Sequence, residues 1–216
     1  MIDKKIKEIH NYIKKEIALV AVSKTKSNKE ILEAYNAGQK VFGENKIQEM
    51  TKKYAELPKD IKWHMVGHVQ SNKIKYMAPY VDLVHGIDSL KSLKILNKEA
   101  KKNNRTIKCL LQLKISDELT KYGLSEKEIE SILNSINILG LKNINVAGIM
   151  TIGSLTNNMD IVIKEFKKTK KIFEDLKNNF PNLKILSMGM SKDYKTAIKY
   201  GSNMIRVGSL IFGKRI

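Results

Sequence analysis

Lys24 closes the run ALVAVSK, where an apolar stretch gives way to the amphipathic pattern of a helix. Burial at such a strand end disfavours the ammonium form, and a neutral amine can attack a carbonyl carbon. Residue type and place therefore suit a Schiff-base lysine, although many strands simply end on a lysine. Other short apolar runs also end on groups that can do chemistry. VFGENKIQEM offers Glu44 and Asn45, WHMVGHVQSNK offers His64, Gln70 and Lys73, and LVHG offers His85. AGIMTIGS offers Met150 and Thr151. LSMGMSKD offers Ser187, Gly189 and Ser191, and IRVGSLIFG offers Arg206, Gly208 and Ser209.

The last two groups share a property. Their small residues leave backbone N–H groups open to a ligand, Ser191 suits the N-cap of the helix that follows, and helix N-termini attract anions. Taken singly, Ser191 reads as a plain cap and Gly208 as a plain turn. Taken with Lys24 and Arg206, they describe a pocket for pyridoxal 5'-phosphate. Lys24 would hold the aldehyde as an imine, Ser191, Gly208 and Ser209 would hold the phosphate, and Arg206 would face the pyridine nitrogen. A guanidinium only donates, so it would keep that nitrogen unprotonated and limit the site to modest proton chemistry. Competing motifs fit less well. No GxGxxG follows the first strand and no Walker A sequence occurs. His64 and His68 stand four apart, but HMVGH lacks the glutamate of HExxH, and SKTK matches SxxK without a partner KTG.

These groups need elements to position them. Strand candidates fall at 18–23, 40–42, 62–66, 81–85, 107–113, 145–149, 183–186 and 204–207. Helical patterns lie between them, near 28–37, 46–56, 71–78, 89–103, 125–138, 158–179 and 192–200. Pro58, Pro79 and Pro181 all fall in connections. Strand–helix repetition argues for parallel strands with crossover helices, and eight strands fit a (β/α)8 TIM barrel. A doubly wound open sheet is the alternative. One domain over 1–216 is expected, because no linker or break in composition divides the chain. Before the first strand, Ile2, Ile6, Ile9, Ile13 and Ile17 recur on one helical face opposite lysines. That stripe suits an extra helix packed on the barrel, and also a helix lying on a membrane surface; packing is the expectation.

Composition narrows the partners. The formal net charge is +18, yet arginine occurs only at Arg105, Arg206 and Arg215, and the lysines are spread through every helix. Nucleic-acid recognition leans on arginine forks, so no nucleic-acid partner is expected. The single cysteine, Cys109, lies in an apolar run and excludes an internal disulfide. The one early apolar run, IALVAVS, is too short to span a bilayer. A cytoplasmic protein without a membrane partner, and a monomer, is expected.

The segments LVAVSKTKS, AGQKVFGENKIQE, KWHMVGHVQSNK, HGIDSL and LKILSMGMSKDYKTAIKYGSNMIRVGSLIFG resemble the pyridoxal phosphate homeostasis proteins, also called the proline synthase co-transcribed family. The resemblance runs from Ile2 to Arg215. It implies a single barrel like the N-terminal domain of bacterial alanine racemase, with pyridoxal phosphate bound as an imine to Lys24. It further implies Asn45 beside the cofactor, Ser191, Gly208 and Ser209 on its phosphate, Arg206 near the ring nitrogen, and His64 and the QSNK segment on the pocket side. The chain departs from the family pattern at Val69, where leucine is usual. It also departs at Gly153 and Ser154, where the family often has proline or alanine and a looser loop is expected here. Lys121 and Gly123 keep the family's lysine–glycine spacing.

The resemblance also implies a role: buffering the cofactor, or delivering it by transient contact with apo-enzymes that need it. The alternative is a racemase-like enzyme. A two-base racemase needs an acid–base group on the cofactor face opposite the lysine. In alanine racemases that group is a tyrosine of a second domain, no such domain is expected here, and none of the eight tyrosines is forced into the pocket by position. A carrier is therefore expected.

Overall fold

Eight apolar runs become eight parallel strands, which close into a barrel in the order β1 to β8. The computed structural model describes residues 1–115 and 122–213; Lys121 and Arg215 lie outside the described residues. The strands are β1 Ala18–Val22, β2 Val41–Glu44, β3 Lys62–Met65, β4 Leu83–Ile87, β5 Ile107–Leu113, β6 Ile144–Thr151, β7 Ile185–Ser187 and β8 Met204–Val207. Helices α1 Ile2–Tyr12, α2 Asn28–Asn36, α3 Ile47–Glu56 and α4 Ile74–Met77 belong to the first half of the chain. Helices α5 Leu90–Lys102, α6 Glu126–Ile138, α7 Met159–Asn179, α8 Tyr194–Lys199 and α9 Ser209–Phe212 belong to the second. The ring closes where β1 meets β8, with Val20 opposite Arg206.

Successive side chains on a strand point to opposite faces, so each strand serves two cores. Val20, Val66, Leu83, Leu110, Met150 and Met204 form one cluster, inside the barrel. Leu19, Ala21, Phe42, Trp63 and their counterparts pack outward against the helices in a second, larger core. Helix starts are set locally. Ser27 with Glu30 and Ser125 with Glu128 form capping boxes, each satisfying two N–H groups that the first turn would otherwise leave without partners.

The N-terminal helix packs on the barrel, against α2 and α9, with Ile6 and Ile9 buried. It ends at Tyr12, earlier than the isoleucine spacing implies, because Ile13 turns extended (φ −84, ψ 145) to lead into β1. Among the described residues no helix is long and apolar enough to cross a membrane. Strand β4 begins later than the apolar run suggests. The Val81 N–H still bonds the Met77 carbonyl at the end of α4, and the ladder opens only when the Asp82 N–H reaches the Trp63 carbonyl. His85 consequently lies within β4, completely buried, rather than at its exit.

Candidate functional site

The C-terminal ends of the strands enclose a cavity of about 650 Å³, in the size range of small-ligand sites. Lys24, Asn45, Ser191, Arg206, Gly208 and Ser209 all line it. Residues from β1, β2, β7 and β8 thus meet in one place, although they are spread over most of the chain. His64 does not line the cavity. It is buried beneath it in the barrel, its ring against His85 and Asp82. The third-strand loop instead borders a neighbouring cavity of about 290 Å³, where Gln70, Lys73 and His68 face Lys46 and Asn45.

The segment around Lys24 is clamped from the helix side. The Lys53 ammonium donates to the Ser23 carbonyl (2.9 Å), to Glu44 Oε1 (2.8 Å) and to Glu49 Oε1 (2.7 Å). The Ser23 hydroxyl donates to the same Glu44 oxygen at 2.5 Å, and the Thr25 N–H donates to Glu49 Oε1 at 2.6 Å. Both neighbours of Lys24 are therefore held by one ion cluster, buried at Lys53 and Glu44 and partly exposed at Glu49. Thr25 pays for its place with a left-handed backbone, φ +65, which a β-branched residue rarely adopts. Burial pushes the Glu44 carboxyl up, against the Lys53 charge that pulls it down. Sequence reasoning passes over Lys53, because a lysine on an amphipathic helix normally reaches water; its spacing from Glu49 (i, i+4) is the only local hint.

On the β7–β8 side Ser191 does not cap α8, which begins at Tyr194 with Asp193 at its N-cap. Its hydroxyl instead accepts from the N–H groups of Gly208 (3.1 Å) and Leu210 (3.2 Å), drawing the β7 loop onto the start of α9. Gly208 is needed there: a Cβ would meet the Val22 carbonyl oxygen at 3.0 Å. Arg206 is buried and makes three directed bonds. Nη1 donates to the Ser187 carbonyl (3.0 Å) and hydroxyl (2.7 Å), and Nη2 donates to the Thr151 carbonyl (2.8 Å). Burial pushes its pKa down to about 10, so it is still a cation at neutral pH. The loop after β6 is tied down rather than loose. Glu165 accepts from the Ser154 N–H (2.9 Å) and hydroxyl (2.5 Å), and a Cβ at Gly153 would press on Glu165.

The arrangement brings together an amine, hydroxyl and backbone donors for an anion, and a fixed guanidinium for a ring acceptor. These are the groups that pyridoxal phosphate requires. Gly208 lets the start of α9 lie close against Val22 of β1, and the two N–H groups that donate to Ser191 are of the kind that donate to a phosphate oxygen.

Residues 1–215 match the family described as alanine racemase, N-terminal domain. The pyridoxal phosphate homeostasis protein of Vibrio alginolyticus is 39% identical over 204 residues, covering 92% of this chain and 87% of that protein. The protein of the same name from Escherichia coli (strain K12) is 35% identical over 207 residues, covering 93% and 86%. Among solved structures, PipY of Synechococcus elongatus PCC7942 with PLP bound is similar at TM-score 0.90 and 32% identity, covering 99% of this chain and 100% of that one. The alanine racemase of E. faecalis shares the fold, with TM-score 0.76 at 15% identity over 99% of this chain and 58% of that one.

Proposed function

The chain belongs to the alanine racemase N-terminal domain family and, within it, to the pyridoxal phosphate homeostasis proteins, and from that premise we propose that it binds pyridoxal 5'-phosphate and buffers or delivers it. The observation that carries this reading is the meeting of Lys24, Arg206 and the Ser191–Gly208–Ser209 cradle around one cavity. When bound, the cofactor supplies an aldehyde that condenses with amines and a conjugated ring that draws electrons from the attached carbon.

Each residue then has a task. Lys24 Nζ is the covalent attachment point, its neighbours held by the Glu44–Lys53–Glu49 cluster. Ser191, Gly208 and Ser209 would hold the phosphate, the Gly208 N–H turning to it from the Ser191 hydroxyl. Arg206 would face the ring nitrogen and, having no lone pair to share, would leave it unprotonated. Asn45 would help to orient the ring. Exposed Leu155 and Met190 at the mouth leave the site accessible to an acceptor protein, which supports delivery over sequestration. A monomer in the cytoplasm, in transient contact with apo-enzymes, is the setting this role calls for.

The test begins with the visible spectrum of the protein mixed with pyridoxal phosphate. Borohydride reduction and peptide mass spectrometry should then place the cofactor's mass on the peptide containing Lys24. Mass found only on another lysine rejects the assignment. Mixing the loaded protein with an apo-enzyme, with a trap for released cofactor, should restore that enzyme's activity. Robust turnover of one amino acid, abolished in Lys24→Ala, would replace the carrier with the racemase-like alternative.

A further inference from the structure

A line of polar side chains runs through the largely apolar barrel, from the cavity toward the N-terminal ends of the strands. Arg206 Nη1 donates to Ser187 Oγ at 2.7 Å. Ser187 Oγ lies 3.4 Å from His85 Nδ1, His85 Nε2 lies 3.0 Å from His64 Nδ1, and His64 Nε2 lies 3.4 Å from Asp82 Oδ2. Arg206, Ser187, His85 and His64 are all buried, whereas Asp82 is partly exposed at the entry to β4. Buried polar groups in such a place need partners, and the interior apolar cluster supplies none.

The ends of the line set its direction. A guanidinium can only donate, so Ser187 Oγ accepts from Arg206 and sends its own proton to His85 Nδ1. A carboxylate can only accept, so His64 Nε2 carries a proton aimed at Asp82. A neutral His64 with that proton has a bare Nδ1, which accepts from His85 Nε2–H; His85 then has a bare Nδ1 for Ser187. One arrangement of two neutral rings satisfies every atom. The competing arrangement makes His64 a cation and reverses the line, leaving the Ser187 hydroxyl without an acceptor. It also adds a second positive charge to a barrel that already holds Arg206. The surrounding charges agree. Burial holds both rings below the ordinary histidine value, with Lys62 and Lys108 opposing a charge on His64, Arg206 and His64 opposing one on His85, and Asp82 alone favouring one. Asp193 faces Arg206 from the cavity side.

We propose that Ser187, His85, His64 and Asp82 form a one-directional hydrogen-bond relay. It fixes the guanidinium of Arg206 in the cavity and ties that buried cation to a carboxylate on the far side of the barrel. These are positioning residues: none of them lines the cavity. The proposal rests on the cofactor reading above for its consequence and on the protein alone for its existence. It also gives His64 a task from beneath the site.

The experiment has two parts. The first records the side-chain nitrogen resonances of histidine in the ligand-free protein at neutral pH. Both His64 and His85 should be neutral with the proton on Nε2. A cationic ring, or a proton on Nδ1 of either, overturns the relay. The second uses Asp82→Ala, at the partly exposed end, and Ser187→Ala, next to Arg206. In each the His85 signals should move, although Asp82 does not touch His85. In the loaded protein Asp82→Ala should shift the pH midpoint of the bound cofactor's colour downward, because Arg206 loses its distant counter-charge. Ser187→Ala should weaken cofactor binding by about tenfold. Unchanged His85 signals in both variants overturn the relay, and an unchanged midpoint and affinity overturn its effect on the site. If the wild-type protein binds no pyridoxal phosphate, the cofactor reading fails instead, and the histidine resonances alone decide whether the relay exists.

Discussion

The two walls of the cavity are built in opposite ways. On the β1–β2 wall, Lys53 and Glu44 are both buried, and three carbonyl or carboxylate oxygens converge on one ammonium. On the β6–β7 wall, Leu155 is 91% exposed and Ile152, Met159 and Met190 are also open to solvent, although the loop beneath them is anchored through Glu165. Buried ion pairs are poor sources of net stability but are costly to break from one side, so they serve to fix geometry. Exposed apolar residues fix little and can meet a partner. The wall bearing the amine is thus held in one position, while the β6–β7 rim stays open to solvent.

Breaking the first wall should have the largest effect. Lys53→Ala strands the Glu44 carboxyl in a dry site and releases the Ser23 carbonyl. It should lower folding stability by about 3–5 kcal/mol, read from denaturant unfolding. Replacing Glu44 by leucine in the same chain should recover part of the loss, since two apolar residues need no pairing. A single-variant loss below about 1 kcal/mol, the level of an exposed pair, would mean that the clamp does not hold the strand end.

The phosphate side should respond in affinity. Losing one charge-assisted bond in Ser209→Ala or Ser191→Ala costs roughly 1.5–3 kcal/mol, or about 10–100-fold in the pyridoxal phosphate dissociation constant. Ser191→Ala should also cost some stability, because its hydroxyl holds the N–H groups of Gly208 and Leu210. Titration at fixed pH checks both. Wild-type affinity in the two variants would place the phosphate elsewhere.

Between the walls the barrel axis should report through pH. His64 and His85 are held below the usual value of 6.5 by burial, so the folded state takes up fewer protons than the unfolded chain. The stability they secure is therefore full above about pH 6.5 and lost as pH falls toward their folded values. The loss should approach about 1.4 kcal/mol per pH unit for each ring. Unfolding curves from pH 7.5 downward (about one unit above the reference value) test this, and His85→Gln should remove one ring's share of the slope.

The two walls are unequally legible in the sequence. Strands and their order follow from apolar runs punctuated by turn residues, and in a barrel the order alone decides which ends meet. That is why Lys24, Asn45, Ser191, Gly208 and Ser209, each just past a strand, and Arg206, within the last two residues of β8, can be assigned to one end from the chain order. What the runs do not carry is which way a side chain turns beneath that end. His64 alternates with apolar neighbours, so its inward direction depends on pairing with β4, whose start is displaced because Val81 still belongs to the α4 turn. Lys53 reads as one more solvated helix lysine, and only the approach of α3 to β1 and β2 buries it. Ser191 stands before a helix pattern, yet it is used by Gly208 and Leu210 at the end of the neighbouring strand rather than by its own helix.

The smallest effect belongs to the open wall, and there the absence of a stability change is the informative result. Leu155 lines the cavity mouth and is almost wholly exposed. Leu155→Ser removes little buried area, so folding stability should stay within about 0.5 kcal/mol of wild type. Pyridoxal phosphate affinity should change little as well, because Lys24, Arg206, Ser191 and Ser209 are all untouched. If the rim is where an acceptor protein docks, the variant should nevertheless slow cofactor transfer to an apo-enzyme, with spontaneous release into a trap unchanged. Transfer at the wild-type rate would make passage through solution sufficient and leave the rim without a role. A fall in stability of more than about 1 kcal/mol would contradict the comparison itself, since an exposed residue without buried contacts has little to lose.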